Sequence, residues 1–374
     1  MNLSKPSSSS SAADAPGLLY AGFNQDFGCF ATGLDSGFRI YNCDPLKEKM
    51  RKDFEDGGIS IVEMLFRCNY LALVGGGKNP KYPPNKVIIW DDLKSKGIVE
   101  LEFRSEVKNV KLRRDRIVVV LANKVFVYVF SANPLKLHTF ETIDNDKGKR
   151  PSMSNTGKIK NSNSINSSGS TTVMTTNVSI IPAHSGKLSC LSVNSDGSKC
   201  ASASEKGTLI RVFDTSSGKL LNELRRGVDR AEIYSIAFDQ SSTRLCVSSD
   251  KGTVHIFNLD AILGNGASHS PNNGSYYAEK VINNPMLSPS PSGNRQSSFS
   301  FMKDLLPKYF SSEWSFAHFK VIADCRCICG FGQEVNTIIV ICADGSCYKF
   351  LFDPRKGGEC VREHYTRFLK DLDE

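Results

Sequence analysis

"ASASEKGTLIRVFD", residues 201–214, sets a Glu-Lys-Gly turn ahead of alternating apolar residues and a closing aspartate. Its echo, "SSDKGTVHIFN" at 248–258, comes 45 residues later. Turn residues followed by period-two alternation read as a β-strand entered from a tight turn. Four more copies of the phrase follow on scanning outward: "GLDSGFRIYNCD" (33–44), "PPNKVIIWDD" (83–92), "LANKVFVYVFS" (121–131) and "ADGSCYKFLFD" (343–353). The residues that open these strands are Gly37, Lys86, Lys124, Gly207, Gly252 and Gly345, at spacings of 49, 38, 83, 45 and 93. A recurrence every 40–45 residues, with room for four strands, predicts an all-β chain folded as a β-propeller. Trp90-Asp91 is a lone WD40-like dipeptide within it.

The 83-residue gap leaves room for a blade between 125 and 206, so the spacing predicts seven blades. That predicted fourth blade is degraded. Residues 144–177 are Ser/Asn-rich and poor in apolar side chains, too few to offset the entropy of ordering them, and read as a disordered insertion. Residues 261–312, with "GNGASHSPNNGSYYAEKVINNPMLSPSPSGNRQSS" at 264–298, read as a long loop from blade six. Residues 1–16 form an expected disordered tail, 17–360 the propeller and 361–374 a C-terminal tail.

With 47 basic and 39 acidic residues the net charge is +8, which permits an anionic partner without demanding one. No apolar stretch reaches the length of a membrane span, and the N-terminus lacks the apolar core of a secretory signal. The 12 cysteines therefore read as reduced cytosolic thiols. Cys325, Cys327 and Cys329 alternate on one strand face. Three thiols so placed cannot all wrap one tetrahedral ion, so no metal is expected and they read as small buried apolar residues. "VGGGKNP" (74–80) lacks phosphate-loop spacing, and no nucleophile elbow, zinc-protease helix or kinase set occurs. The chain reads as a non-enzyme without cofactor.

The two echoing phrases flank "NELRRGVDRAEIYS" (222–235), and the echo aligns Ser204 with Ser249 and Thr208 with Thr253. Adjacent strand residues point to opposite faces, so Arg225 and Arg226 are either two solvated charges at a strand end or the basic groups of two separate anionic pockets. Hydroxyls, glycine amides and guanidinium groups suit phosphate oxygens, although Ser, Thr and Gly are also ordinary turn residues.

The run Leu224-Arg225-Arg226-Gly227, with "SASEKGT" before it and "SSDKGTVHIF" after, resembles the PROPPIN family of phosphoinositide-binding propellers in autophagy. "FNQDFGCFATGLDSGFRIYN" near the start and "LPKYFSSEWSFAHFK" (306–320) are also family-like, and the resemblance covers 18–143 and 179–360. It implies a first headgroup site at His184, Ser202, Ser204, Gly207, Thr208, Arg211 and Arg225. A second would hold Arg226, Ser249, Thr253 and His255, with Gly227 between the two. The implied ligands are phosphatidylinositol 3-phosphate and 3,5-bisphosphate. The implied places are preautophagosomal, endosomal or vacuolar membranes, bound peripherally from the cytoplasm by a monomer with no nucleic-acid partner. The competing reading is a WD-repeat protein-interaction scaffold with vestigial lipid sites.

Phe299, Phe301, Met302, Leu305 and Leu306, with Lys303 and Lys308 among them, compose a segment suited to the lipid interface. The resemblance implies that a loop here inserts into membrane. It also implies that Asn24 and Asp26 of "FNQD" contact an autophagy lipid-transfer protein of the Atg2 type. The family usually continues after "ETxxNPKG" with further strands of the fourth blade; here "ETIDNDKG" runs into "KRPSMSNTGKIKNS".

Overall fold

The structure is a computed structural model that describes residues 17–55, 57–142, 180–259, 293–294, 312–322 and 325–369. The described residues build six antiparallel-based sheets. The first contains Leu18–Phe23, Cys29–Leu34, Gly37–Asn42 and Lys47–Asp53 (β1–β4). The second contains Ile59–Met64, Tyr70–Gly75, Lys86–Asp91 and Lys96–Glu102 (β5–β8). The third contains Asn109–Arg113, Arg116–Val120, Lys124–Val129 and Lys136–Glu141 (β9–β12). The fourth holds Leu188–Val193, Lys199–Ser204, Leu209–Asp214 and Leu220–Arg225 (β13–β16), and the fifth opens with Ile233–Phe238, Arg244–Ser249 and Thr253–Asn258 (β17–β19). The short Glu313–Trp314 (β20) joins the fourth, beside β16. Ala317–Lys320 (β21) and the short Gly358–Glu359 (β25) complete the fifth. Cys327–Phe331, Thr337–Cys342 and Ser346–Leu351 (β22–β24) with Val361–Arg367 (β26) make the sixth.

Each repeated phrase becomes the third strand of one sheet: β3, β7, β11, β15, β19 and β24. The fold is a β-propeller, but the described residues form six blades, not the expected seven. The count of seven rested on the 83-residue gap, which contains no seventh copy of the phrase. Residues 143–179, where the extra blade was expected, lie outside the described residues.

Apolar clusters seal the sheets in sequence. One spans the first three sheets, one the sixth and first, one the fifth and sixth, and one the fourth and fifth. None spans the third and fourth among the described residues. The fourth sheet is sealed against the fifth by the last of these clusters.

The expected C-terminal tail is instead structural through Leu369. Backbone pairing to β24 holds β26 although its side chains are mostly exposed, and Phe368 and Leu369 bury themselves in the cluster between the sixth and first sheets. Tyr41 donates its hydroxyl to the Phe368 carbonyl at 3.3 Å. Lys349 adds an ionic tie across this seam, to Asp44 at 2.8 Å, and pairs within its own sheet with Glu363 at 3.1 Å.

Candidate functional site

The two echoed turns have one geometry. The Gly207 amide donates to the Ser204 carbonyl at 2.9 Å, and the Gly252 amide to the Ser249 carbonyl at 3.2 Å. Both glycines are left-handed, with φ of +63° and +67°, as the last residue of such a turn requires. Each turn sets the next strand in register, so that Ser202 lies across from Arg211, and Arg211 across from Glu223.

Parity then sorts the fourth sheet into two faces. Ala201, Ala203, Ile210, Val212 and Leu224 pack against the fifth sheet. Ser202, Arg211, Glu223 and Arg225 lie on the other face. Over them lies His184, whose Nε2 is 3.0 Å from the Ser202 hydroxyl. Arg211 donates through Nε to Glu223 at 2.9 Å and through Nη1 to the Ala183 carbonyl at 2.7 Å. It therefore positions the backbone that carries His184. Ser312 also donates to Glu223, at 3.1 Å. Burial, then the Arg211 charge, hold His184 below its ordinary value. Arg225 itself is 8% exposed, beside Leu209 on one strand and Trp314 on the other.

The second group lies in the closed seam between the fourth and fifth sheets. Arg226 is 6% exposed, just past the end of β16. Its amide donates to the Thr208 carbonyl at 3.0 Å, its Nε to the Gly207 carbonyl at 3.1 Å, and its Nη2 to the Asp229 carbonyl. These bonds fix the guanidinium fork at the turn. Burial lowers its pKa, against the opposing charges of Asp250 and Asp229. On the facing fifth sheet, the β18–β19 register carries Ser249 and Thr253 to neighbouring positions, and His255 follows on the same face. His255 Nδ1 is 3.2 Å from the Ser315 hydroxyl. Its pKa is pushed down to about 4, first by burial and then by the charges of Arg226 and His318. That coupling places Arg226 and His255 in one electrostatic environment although they belong to different sheets. A Cβ on Gly227 would meet nothing within 4 Å, so backbone beside Arg226 is open to close approach.

A histidine kept neutral by burial ties stability to pH. The folded value of His255 lies below the unfolded value of about 6.5, so its contribution is complete above that pH and is lost as pH falls toward about 4. Stability is expected to fall by about 2 kcal/mol between about pH 7 and pH 5, read from urea midpoints. His255→Gln should remove most of that fall, and His184, shifted in the same direction, accounts for a remainder. A variant with the full wild-type slope would show that His255 is not the group responsible.

Sequence reasoning did not identify Glu223, His318 or Lys320. Glu223 sits two residues before Arg225, and register puts it against Arg211. His318 lies across from His255, and Lys320 across from Thr253. The signal was available in "WSFAHFK", but its pairing with β19 crosses the long insertion. Asn24 does not fit the role of a partner contact. It is 3% exposed, donates to the Phe66 carbonyl at 3.2 Å and accepts from the Cys29 amide at 3.1 Å, so it locks the turn after β1. Asp26 is more open, 3.5 Å from Arg67 and accepting the Gly28 amide at 2.9 Å. Phe299, Phe301, Met302, Leu305 and Leu306, with most of the 261–312 segment, and the whole of 1–16 and 144–177, lie outside the described residues. No helix among the described residues is long and apolar enough to cross a membrane.

A family model described as PROPPIN matches residues 18–367. The chain is 36% identical over 383 residues to SVP1-like protein 2 of Pichia angusta, covering 98% of this chain and 99% of that one. It is 37% identical over 359 residues to autophagy-related protein 18e of Arabidopsis thaliana, covering 94% and 88% respectively. Among solved structures, Kluyveromyces lactis Hsv2 with complete loop 6CD superposes with a TM-score of 0.65 at 22% identity, covering 94% of this chain and 99% of that one. At that identity the superposition speaks for the fold.

Proposed function

The chain belongs to the PROPPIN family, and from that premise we propose that it is a phosphoinositide effector that docks on membranes bearing 3-phosphorylated inositol lipid and recruits autophagy machinery. It performs no chemistry. The observation that carries the reading is the placement of Arg226. A buried guanidinium is fixed by the Gly207 and Asp229 carbonyls, shares the environment of His255, and lies in the seam whose facing sheet carries Ser249 and Thr253. Fixed donors at a dry seam cost little reorganisation when an anion arrives, and guanidinium–phosphate bonds are charge-assisted. Lys320, across from Thr253, adds positive charge at the rim.

The pocket of Arg225 is the weaker of the two. Glu223 neutralises Arg211 within its row. Its row therefore offers an anion less free positive charge than the seam of Arg226 does. The preferred ligands are phosphatidylinositol 3-phosphate and the 3,5-bisphosphate, and Asp26 remains the candidate contact for a lipid-transfer protein of the Atg2 type. Titration of the full chain with soluble inositol 1,3-bisphosphate tests the reading. Saturable binding is expected, and a chain that takes up none of it overturns the proposal.

One shallow headgroup contact holds a protein weakly, and a second membrane contact multiplies retention through effective concentration. Phe299, Phe301, Met302, Leu305 and Leu306 supply that contact by insertion. Phe299→Ser with Phe301→Ser is expected to weaken vesicle retention roughly tenfold, by loss of apolar burial, while headgroup titration stays unchanged. Equal retention by this variant removes the insertion contact.

A further inference from the structure

The turn that opens the candidate pockets occurs a third time, with different chemistry. In the sixth sheet the Gly345 amide donates to the Cys342 carbonyl at 3.2 Å, and Gly345 is again left-handed at φ +82°. Cys342 thus stands where Ser204 and Ser249 stand in the fourth and fifth sheets, and Asp344 stands where Lys206 and Lys251 do. At the level where those sheets present hydroxyls and lysines, this one presents a thiol and a carboxylate. The exchange turns a donor set for anions into a donor set for a cation.

Register completes the set. Cys327 lies directly across from Cys342 on the neighbouring strand. The ladder continues one step beyond the strand end, where the Ala343 amide donates to the Arg326 carbonyl at 2.8 Å. That step sets Cys325 against Asp344 on the same face as the Cys327–Cys342 pair. The sulfurs of Cys325 and Cys342 and a carboxylate oxygen of Asp344 all lie within 4.8 Å of one another. Cys327, paired with Cys342 in the ladder, projects from the same face. Asp344 is already oriented: its Oδ1 accepts the Ser346 amide at 2.9 Å and the Ser346 hydroxyl at 2.5 Å.

Three thiols on one strand cannot wrap an ion. Two on one strand, with a third thiol and a carboxylate from the next, can. We propose that Cys325, Cys327, Cys342 and Asp344 bind a thiophilic divalent cation, zinc, as a structural site at the seam of the fifth and sixth sheets. Zinc–sulfur bonds of about 2.3 Å place tetrahedral ligand atoms about 3.8 Å apart, so a contraction of about an ångström at most brings Cys325, Cys342 and Asp344 to that spacing, and Cys327, across from Cys342, supplies the fourth ligand. Ser346 is the outer-shell partner that such a carboxylate ligand needs. Cys327 and Cys342 are buried, and the half-buried Cys325 gives the ion a way in. Cys329, two residues farther along the strand, lies across from Val340 and stands outside the set.

Cobalt(II) reports such a site by its colour, since thiolate ligation gives sulfur-to-metal charge-transfer bands and tetrahedral geometry gives intense visible bands. The full chain, reduced with a non-thiol reductant, is titrated with cobalt and then back-titrated with zinc. One cobalt per chain with both band sets, displaced by zinc, is expected for the wild type and for Cys68→Ser, whose thiol is exposed and remote. Cys325→Ser, at the half-buried position, should weaken affinity at least tenfold and reduce the charge-transfer intensity. Asp344→Asn should keep the charge-transfer bands and weaken affinity. A wild-type chain without these bands, or a folded Cys325→Ser chain that binds as tightly as wild type, overturns the proposal.

Discussion

Replacing Arg225 and Arg226 together with threonine is expected to abolish recognition of 3-phosphoinositide vesicles. Each arginine–phosphate contact contributes roughly 1.5–3 kcal/mol, so losing both lowers affinity on the order of 10²–10⁴-fold. The loss deepens on a membrane, where the two pockets reinforce each other through effective concentration. The single variants should divide unequally. Arg226 sits in the closed seam, tied to Gly207 and coupled with His255, whereas the Arg225 row includes the Arg211–Glu223 pair. Arg226→Thr should therefore cost more than Arg225→Thr. Both side chains are buried, so a chemical denaturation curve accompanies each binding curve. A double variant that stays folded and binds within threefold of wild type would remove the Leu-Arg-Arg-Gly run from the site.

Gly207→Ala is expected to damage the fold and the pocket together. At φ +63° an L-residue costs about 1–2 kcal/mol. A Cβ there would also lie 1.9 Å from the Ala231 carbonyl oxygen, a backbone atom that no rotamer change can move aside. Together these predict a loss of roughly 3 kcal/mol or more in denaturation free energy. The Gly207 carbonyl is the acceptor for Arg226 Nε, so a displaced turn also displaces the guanidinium, and headgroup affinity should fall about tenfold or more. Gly227→Ala is the contrast. Its Cβ meets open space, and stability should change by less than about 1 kcal/mol. Equal stability of Gly207→Ala and wild type would mean that the turn relaxes without cost.

The repeated phrase made most of the fold legible. Turn glycines and alternating apolar residues are local signals, and all six copies became the third strand of a sheet. The blade count was misjudged because it was taken from a gap in spacing, and a gap contains no strand signal of its own. The C-terminal strand was missed because β26 is held by backbone pairing and by Phe368 and Leu369, not by its exposed side chains. At the candidate site, the echo of Ser204 with Ser249 and of Thr208 with Thr253 was visible because the fourth and fifth sheets reuse one turn. Glu223 against Arg211, and His318 against His255, are cross-strand neighbours set by register, which the linear order conceals. The cysteines show the same limit, since Cys342 and Asp344 reach Cys325 and Cys327 only through pairing of β22 with β23. Asn24 was misjudged in the other direction, its polar side chain being occupied by the backbone of its own turn and of the next sheet.

The most direct measurement compares co-sedimentation of the wild-type chain with two sets of vesicles matched in surface charge. One set contains phosphatidylinositol 3-phosphate and the other only phosphatidylserine as its anionic lipid. A net charge of +8 would carry the chain to both alike if attraction were merely electrostatic. Recognition through oriented arginines predicts strong pelleting with the 3-phosphoinositide set and little with the serine lipid. Equal pelleting on the two sets, or none on either, would contradict the account.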